Sequence, residues 1–245
     1  MNLFKISTSI IILLLHLLFF CQSEKTGLIP YSGKVLFEEN FENAALWHHE
    51  GIGRFFLPEP GVMKIECIGG QQGGYGAQAI CRNDFPDSIS IEFDMNVLTQ
   101  NGLIIIFVAM SGIDGEDIIT NLPARKGLFS EYTGENAKIC SYHVSVSRYN
   151  DDGEHTGVSN WRRNPGLHLM GQGPDLCKNN EQWYHIRIVK KGLHLQLGVN
   201  DKLAHEFFDP DTLVTPIPRD GKIGFRAIGK NVQVLIKNFR VVSIR

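Results

Sequence analysis

Along most of this chain apolar and polar residues alternate one for one, or gather in short apolar runs bounded by Gly, Asn, Asp or Pro. Both patterns are signatures of β-strands. From Ile89 to Val97 the residues Ile89, Ile91, Phe93, Met95 and Val97 share one face, opposite Ser90, Glu92, Asp94 and Asn96. Val62–Cys67 alternates in the same way, Val35–Phe37 opens the pattern, and a Gly-rich loop at 69–74 leads into Tyr75–Cys81. Leu103–Met110 is almost wholly apolar, as a central strand covered on both faces would be. Further on, Trp183–Lys190, Leu193–Val199 and Leu203–Phe208 are separated by the turns Lys191-Gly192 and Asn200-Asp201. Gly221–Phe225 then leads into a closing strand, Val232–Ile244. No amphipathic stretch of helical period exceeds two turns. About a dozen short strands with regular turn signals predict an all-β sandwich or barrel.

Two stretches break the rhythm. Ser111–Ala137 is long, rich in Gly and Asp, and without period, and Asn150–Pro165 is a second irregular segment. Long loops in compact domains are usually functional or mobile, so both are expected to rim a site. Between them lies Ser141–Tyr149, with Tyr142, Val144 and Val146 on one face and His143, Ser145, Ser147 and Tyr149 on the other.

The N-terminus adds a compartment. Lys5 precedes an apolar run from Ile6 to Phe20, the length of a signal-peptide core and too short for a comfortable membrane span. Residues 1–23 are read as a signal peptide and 24–245 as one domain. Two exits are open: lipidation of Cys21, against which the bulky Phe20 counts, or ordinary cleavage at Cys21-Gln22-Ser23. The protein is expected to be exported, either periplasmic or anchored to the outer membrane as a lipoprotein, with no other contact with the membrane. A net charge of −2 leaves no basic footprint for nucleic acid. Cys67, Cys81, Cys140 and Cys177 contain no CxxC spacing, so no metal or other cofactor is expected. Disulfides and buried thiols both stay open.

Three passages narrow the fold. Trp183–Lys190 followed by Val199-Asn200-Asp201-Lys202 resembles a hairpin of concanavalin A-like glucanases and lectins. Gly221-Lys222-Ile223-Gly224-Phe225-Arg226 and Lys237-Asn238-Phe239-Arg240-Val241 resemble the last strands of the same fold. Tyr142-His143-Val144-Ser145, Asn160-Trp161-Arg162-Arg163 and Gly166-Leu167-His168-Leu169 resemble the YesU-like family of bacterial jelly rolls, whose function is unknown. The resemblance runs from about Val35 to the C-terminus. It implies a concanavalin A-like jelly-roll sandwich of two antiparallel sheets and an association with the breakdown of uronate- and rhamnose-containing polysaccharides. It carries no settled catalytic residues.

Candidate chemistry follows from residue type. The Glu-x-Asp-x-x-Glu strand of retaining glucanases is broken here: Glu92 and Asp94 are followed by Asn96 and Val97. An imidazole and a phenol on one strand face suit acid–base work, which makes His143 and Tyr149 candidates, with His168 as an alternative base. Arg162 and Arg163 suit a carboxylate or sulfate, Trp161 could stack on a pyranose, and Ser145 and Arg226 could reach the same groove. Trp47-His48-His49 is read as a rim cluster. The first expectation is an enzyme acting on uronate-containing saccharides by β-elimination, as a lyase or dehydratase. A lectin-like protein binding an acidic saccharide without turnover, a glycoside hydrolase with non-standard carboxylates and a structural surface protein are the alternatives. The oligomeric state is not legible.

Overall fold

The computed structural model describes residues 27–31, 33–68 and 74–245. The expected leader, residues 1–23 with Cys21, lies outside the described residues. The described strands form two antiparallel sheets packed face to face. The eight-stranded sheet runs β13 (Lys202–Phe208), β12 (His194–Val199), β11 (Trp183–Lys191), β6 (Ile89–Val97), β15 (Gln233–Ser243), β4 (Val62–Cys67) and β3 (Gly53–Glu59), with β1 (Val35–Glu39) also paired to β15. The seven-stranded sheet runs β10 (His168–Pro174), β9 (Val158–Asn164), β8 (Ile139–Val146), β7 (Leu103–Gly112), β14 (Lys222–Ile228), β5 (Gly76–Cys81) and β2 (Trp47–Gly51). A single helical turn, α1 (Ser130–Thr133), lies between β7 and β8.

The period-two pattern sets the core. Ile91, Phe93 and Met95 of β6 are fully buried against Ile104, Ile106 and Val108 of β7, Val144 of β8 and Phe225 of β14. Complete burial of each such side chain contributes roughly 1.5–3 kcal/mol. Cys81, Cys140 and Cys177 are free thiols, and Cys67 is buried with them, its Sγ facing the Tyr75 carbonyl. Burial pushes Cys81 and Cys140 up to about 12, so neither forms a thiolate at neutral pH.

Two departures from the sequence pattern shape the site. Residues 158–164 lie in the stretch expected to be irregular, yet they form β9 in the sheet interior. The other irregular stretch, after β7, folds across the outer face of the seven-stranded sheet. Its Ile118 and Tyr132 are buried there with Ile80, Ile105, Phe107, Met110 and Ile139 in a second apolar cluster. That is why β7 is apolar on both faces: Ile104 and Ile106 point between the sheets, Ile105 and Phe107 under the covering segment.

Candidate functional site

On the outer face of the seven-stranded sheet the strand register lines side chains up in rows. One row crosses Gln172, Asn160 and Ser145 on β10, β9 and β8, passes Ile105, and ends in Arg226, Gln78 and Glu50 on β14, β5 and β2. The next row sets Leu169, Arg162 and His143 side by side before Phe107. Strand pleating thus brings His143, Ser145 and Arg162 together on one face.

The covering segment, residues 113–138, takes the β7–β2 half of this face. Arg125 donates from Nε to Glu50 Oε2 at 2.7 Å and pairs through Nη2 with Glu50 Oε1, while the Tyr132 hydroxyl donates to Glu50 Oε2 at 2.7 Å. Burial, and then the Glu50 carboxylate, push the Tyr132 hydroxyl far above the usual phenol range. Arg226, expected to reach a sugar, is instead fully buried beneath the segment. Its Nη2 donates to the carbonyls of Gly74 at 3.1 Å and Gly127 at 2.6 Å, and its guanidinium stands 4.9 Å from the centre of the Tyr132 ring.

His143 sits at the margin of that cover, 2% exposed. Its ring packs 5.1 Å from Phe107 and 5.8 Å from Phe129, and its Nδ1 accepts a hydrogen bond from Asn164 Nδ2 at 2.9 Å. Burial, with Arg162 and Arg226 adding, lowers its pKa to about 3, so the exposed base poised near neutrality that the strand pattern suggested is replaced by a neutral, sealed imidazole. His205 on β13 is likewise lowered to about 4 by burial. In the unfolded chain both return to the ordinary value near 6.5 and bind protons that the fold does not. Stability is therefore full above about pH 6.5 and falls with pH, by up to roughly 1.4 kcal/mol per pH unit for each histidine. The loss ends near pH 4 for His205 and pH 3 for His143. Urea unfolding at a series of pH values should show His143→Gln flattening this slope by about one proton; an unchanged slope would contradict the assignment.

Four other expected site residues leave this face. Trp161, fully buried, points between the sheets onto Phe207, 5.7 Å away, so its indole cannot stack on a sugar. Arg163, adjacent to Arg162, alternates to the same inner side. It pairs through Nη1 with Asp209 Oδ2 at 3.0 Å, both side chains fully buried, and reaches the carbonyls of Thr215 and Pro216. His168 stands opposite Arg163 in the register, on the other side of the sheet from Arg162. Tyr149 lies beyond Ser147, whose φ of 50° ends the pleat after β8. Its hydroxyl donates to the Lys178 carbonyl and its ring meets His155 edge-on at 5.1 Å, away from His143.

Outside the covering segment lies the β8–β10 half, where Gln172 is exposed and Arg162 half-buried, with Asn160 and Ser145 each 5% exposed beside them. Arg162, half-buried, donates from Nη1 to the Leu167 carbonyl at 2.6 Å, and Arg148 from Nη1 to the Val158 carbonyl at 2.8 Å. Among the described residues neither guanidinium bonds a carboxylate, and the Arg148 Nε is buried without a partner. Burial and then the charge of Arg148 lower the Arg162 pKa from its ordinary value. Beside them Gln172 Nε2 donates to Asn160 Oδ1 at 2.8 Å. Arg148, Asn160 and Gln172 were missed as site residues because the first borders a turn and the other two carry no ionisable group. Alternation along 158–164 was the signal that could have found Asn160.

The carboxylates of the glucanase-like strand lie on the opposite sheet. Glu92 accepts from Arg240 Nη2 at 3.1 Å, and Asp94 accepts from Asn238 Nδ2 at 2.6 Å and pairs with His185 Nδ1 at 3.0 Å. They line a cleft of about 700 Å³ with Glu38 and Arg240. Its strand register sets Glu38 beside Arg240, Arg240 beside Glu92, and Glu92 beside Arg187. That is a ladder of opposite charges on a solvated face. Among the described residues no group of three His, Cys, Asp or Glu side chains is gathered as metal ligands.

This architecture has known counterparts. A family model described as a domain of unknown function, DUF1961, matches residues 34–241. The uncharacterized protein YesU of Bacillus subtilis is 28% identical over 166 residues, 66% of this chain and 74% of that protein. A crystal structure from Bacillus subtilis, of a protein of unknown function with a galectin-like fold, superposes with a TM-score of 0.77 at 24% identity, covering 88% of this chain and 100% of that one. The carbohydrate-binding module CBM66, also from Bacillus subtilis, does so with a TM-score of 0.52 at 10% identity, covering 87% and 100%. The fold is therefore the galectin-like and concanavalin A-like jelly roll that the strand pattern and the resemblance predict. With its match over residues 34–241, the chain belongs to the DUF1961 family of unknown function.

Proposed function

We propose that the β8–β10 half of the seven-stranded sheet binds an acidic carbohydrate. The observation that carries this reading is the pair Arg162 and Arg148, whose guanidiniums bond main-chain carbonyls and no carboxylate among the described residues. Arg162 lies in the row next to the neutral hydrogen-bonding row Ser145, Asn160 and Gln172, and Arg148 bonds the carbonyl of Val158, two residues before Asn160 on β9. A guanidinium held by one carbonyl keeps further N–H donors for the fork that a carboxylate or sulfate matches. The sugar hydroxyls would be met by the row of amide and hydroxyl groups. The fold, shared with a carbohydrate-binding module, supports the same class of ligand. The expected leader would deliver the protein outside the cytoplasm, where polysaccharides are met.

Catalysis is a second reading, favoured by one observation: the Arg162 guanidinium bonds the Leu167 carbonyl and no carboxylate among the described residues, as a group that neutralises a substrate carboxylate would. In a β-elimination across C4–C5 of a uronate, Arg162 would neutralise the carboxylate. His143, sealed and with its Nδ1 lone pair engaged by Asn164, is not placed to take the C5 proton, so the base would have to be another group. Tyr149 lies off this face, so the proton donor to the leaving oxygen would have to be another group.

Calorimetric titration with galacturonate, glucuronate and mannuronate oligosaccharides, against neutral glucose oligomers, tests the binding reading. At least one acidic series should bind tenfold or more tightly than the neutral one. Equal affinities, or none, would overturn it. Ultraviolet absorbance of an unsaturated product in the same mixtures would establish elimination, and binding without it would leave a lectin-like protein.

A further inference from the structure

The covering segment limits what kind of saccharide end or stretch the open half can take. From β8 to β10 the open face is about 10 Å wide, two interstrand spacings, and beyond β8 the sheet disappears beneath residues 113–138. The segment is fastened at several separate points. Arg125 and Tyr132 hold the buried Glu50, and Lys222 Nζ pairs with Asp117 at 2.9 Å. The Gly127 carbonyl accepts from Gly76 N at 3.0 Å as well as from Arg226. At that last point the backbone of the segment touches β2: a Cβ on Gly127 would come within 2.3 Å of the Gly51 Cα. Lifting it would expose Ile118 and Tyr132, uncover Phe107, and take Arg125 and Tyr132 from Glu50 and the Gly127 carbonyl from Arg226. Such a segment is part of the fixed structure and not a lid.

Its boundary residue is Phe129. The ring is half-buried, 5.8 Å from His143 and 5.6 Å from the Arg226 guanidinium, where the covered half meets the open half. We propose that residues 113–138 form an end wall, that Phe129 is the surface against which a terminal sugar unit stacks, and that the protein therefore recognises chain ends of an acidic saccharide and not its interior. This rests on the binding reading above and narrows it. A groove running across the whole sheet admits an unbroken chain. This one is closed at β7, so a chain laid across the strands has to end there.

A length series of whichever uronate binds in the titration tests the wall. Di-, tetra- and octasaccharides and the polymer should each bind one protein per accessible chain end, with affinity flat beyond the tetrasaccharide. Phe129→Ala should weaken binding about tenfold, with a lowered melting temperature from the lost packing on His143 and Arg226 but a cooperative unfolding transition retained, and Phe129→Trp should restore binding. A number of bound proteins that rises with chain length would overturn the wall while leaving acidic-sugar binding intact, and so would a Phe129→Ala variant that binds as the parent does. If no uronate binds the parent at all, the binding reading itself fails and takes the wall with it.

Discussion

Replacing Arg163 by Ala should lower the unfolding free energy by about 3–5 kcal/mol while leaving the open face untouched. The size follows from burial. Arg163 and Asp209 are both fully buried, and Asp209 also accepts the Tyr142 hydroxyl at 2.5 Å. Truncation leaves the carboxylate without its counter-charge and the carbonyls of Thr215 and Pro216 without their donor. An uncompensated buried charge costs far more than an exposed pair of the same length, whose median worth is about 0–1 kcal/mol. Urea denaturation followed by tryptophan fluorescence measures it. A loss under 1 kcal/mol would mean that Asp209 is reached by water or that the clamp is dispensable.

Glu50→Ala should cost a similar amount, about 3–5 kcal/mol, and with a different signature. Glu50 sits on the edge strand β2 and takes Arg125 and Tyr132 from the covering segment, the Arg125 and Glu50 side chains being 7% and 3% exposed. Removing it leaves the Arg125 cation buried beside an apolar cluster. Its effect should therefore concentrate in residues 113–138, whose amides should exchange with deuterium faster than those of β6, where Arg163→Ala should weaken protection throughout. Glu50→Gln keeps acceptors for Tyr132 and should lose less. Uniform exchange across the protein in Glu50→Ala would contradict the role assigned to the segment.

The sandwich was legible where burial follows residue type. In β6 every second residue is apolar and joins the core between the sheets, so the period gives the strand and its inner face, even though all but Asp94 are buried. The site was legible as far as pleating carries: His143 and Ser145 do leave the core face of Tyr142 and Val144. It failed where chemistry and burial part company. Arg162 and Arg163 are the same residue side by side, and only the position of the second sheet decides which becomes a clamp and which stays accessible. Trp161 reads as a sugar platform because it stands beside two arginines in the irregular stretch Asn150–Pro165, yet β9 carries it into the core. Tyr149 was lost to a left-handed residue at Ser147, a conformation that serine does not announce. The covering segment has no period to read. Ile118, Leu122, Phe129 and Tyr132 are too widely spaced to mark a strand or a long helix, so nothing in their order says that they lie over β7 and seal His143.

The central claim is that the open face holds an acidic sugar through Arg162. The measurement that tests it most directly is the affinity of the parent and of Arg162→Ala for one uronate oligosaccharide and for its carboxyl-reduced, neutral counterpart. Loss of a charge-assisted hydrogen bond is worth about 1.5–3 kcal/mol, so the variant should bind the acidic ligand at least tenfold more weakly, with the neutral ligand and the unfolding midpoint nearly unchanged. If Arg162→Ala binds the uronate as tightly as the parent, or loses both ligands alike, the acidic-carbohydrate site is not on this face.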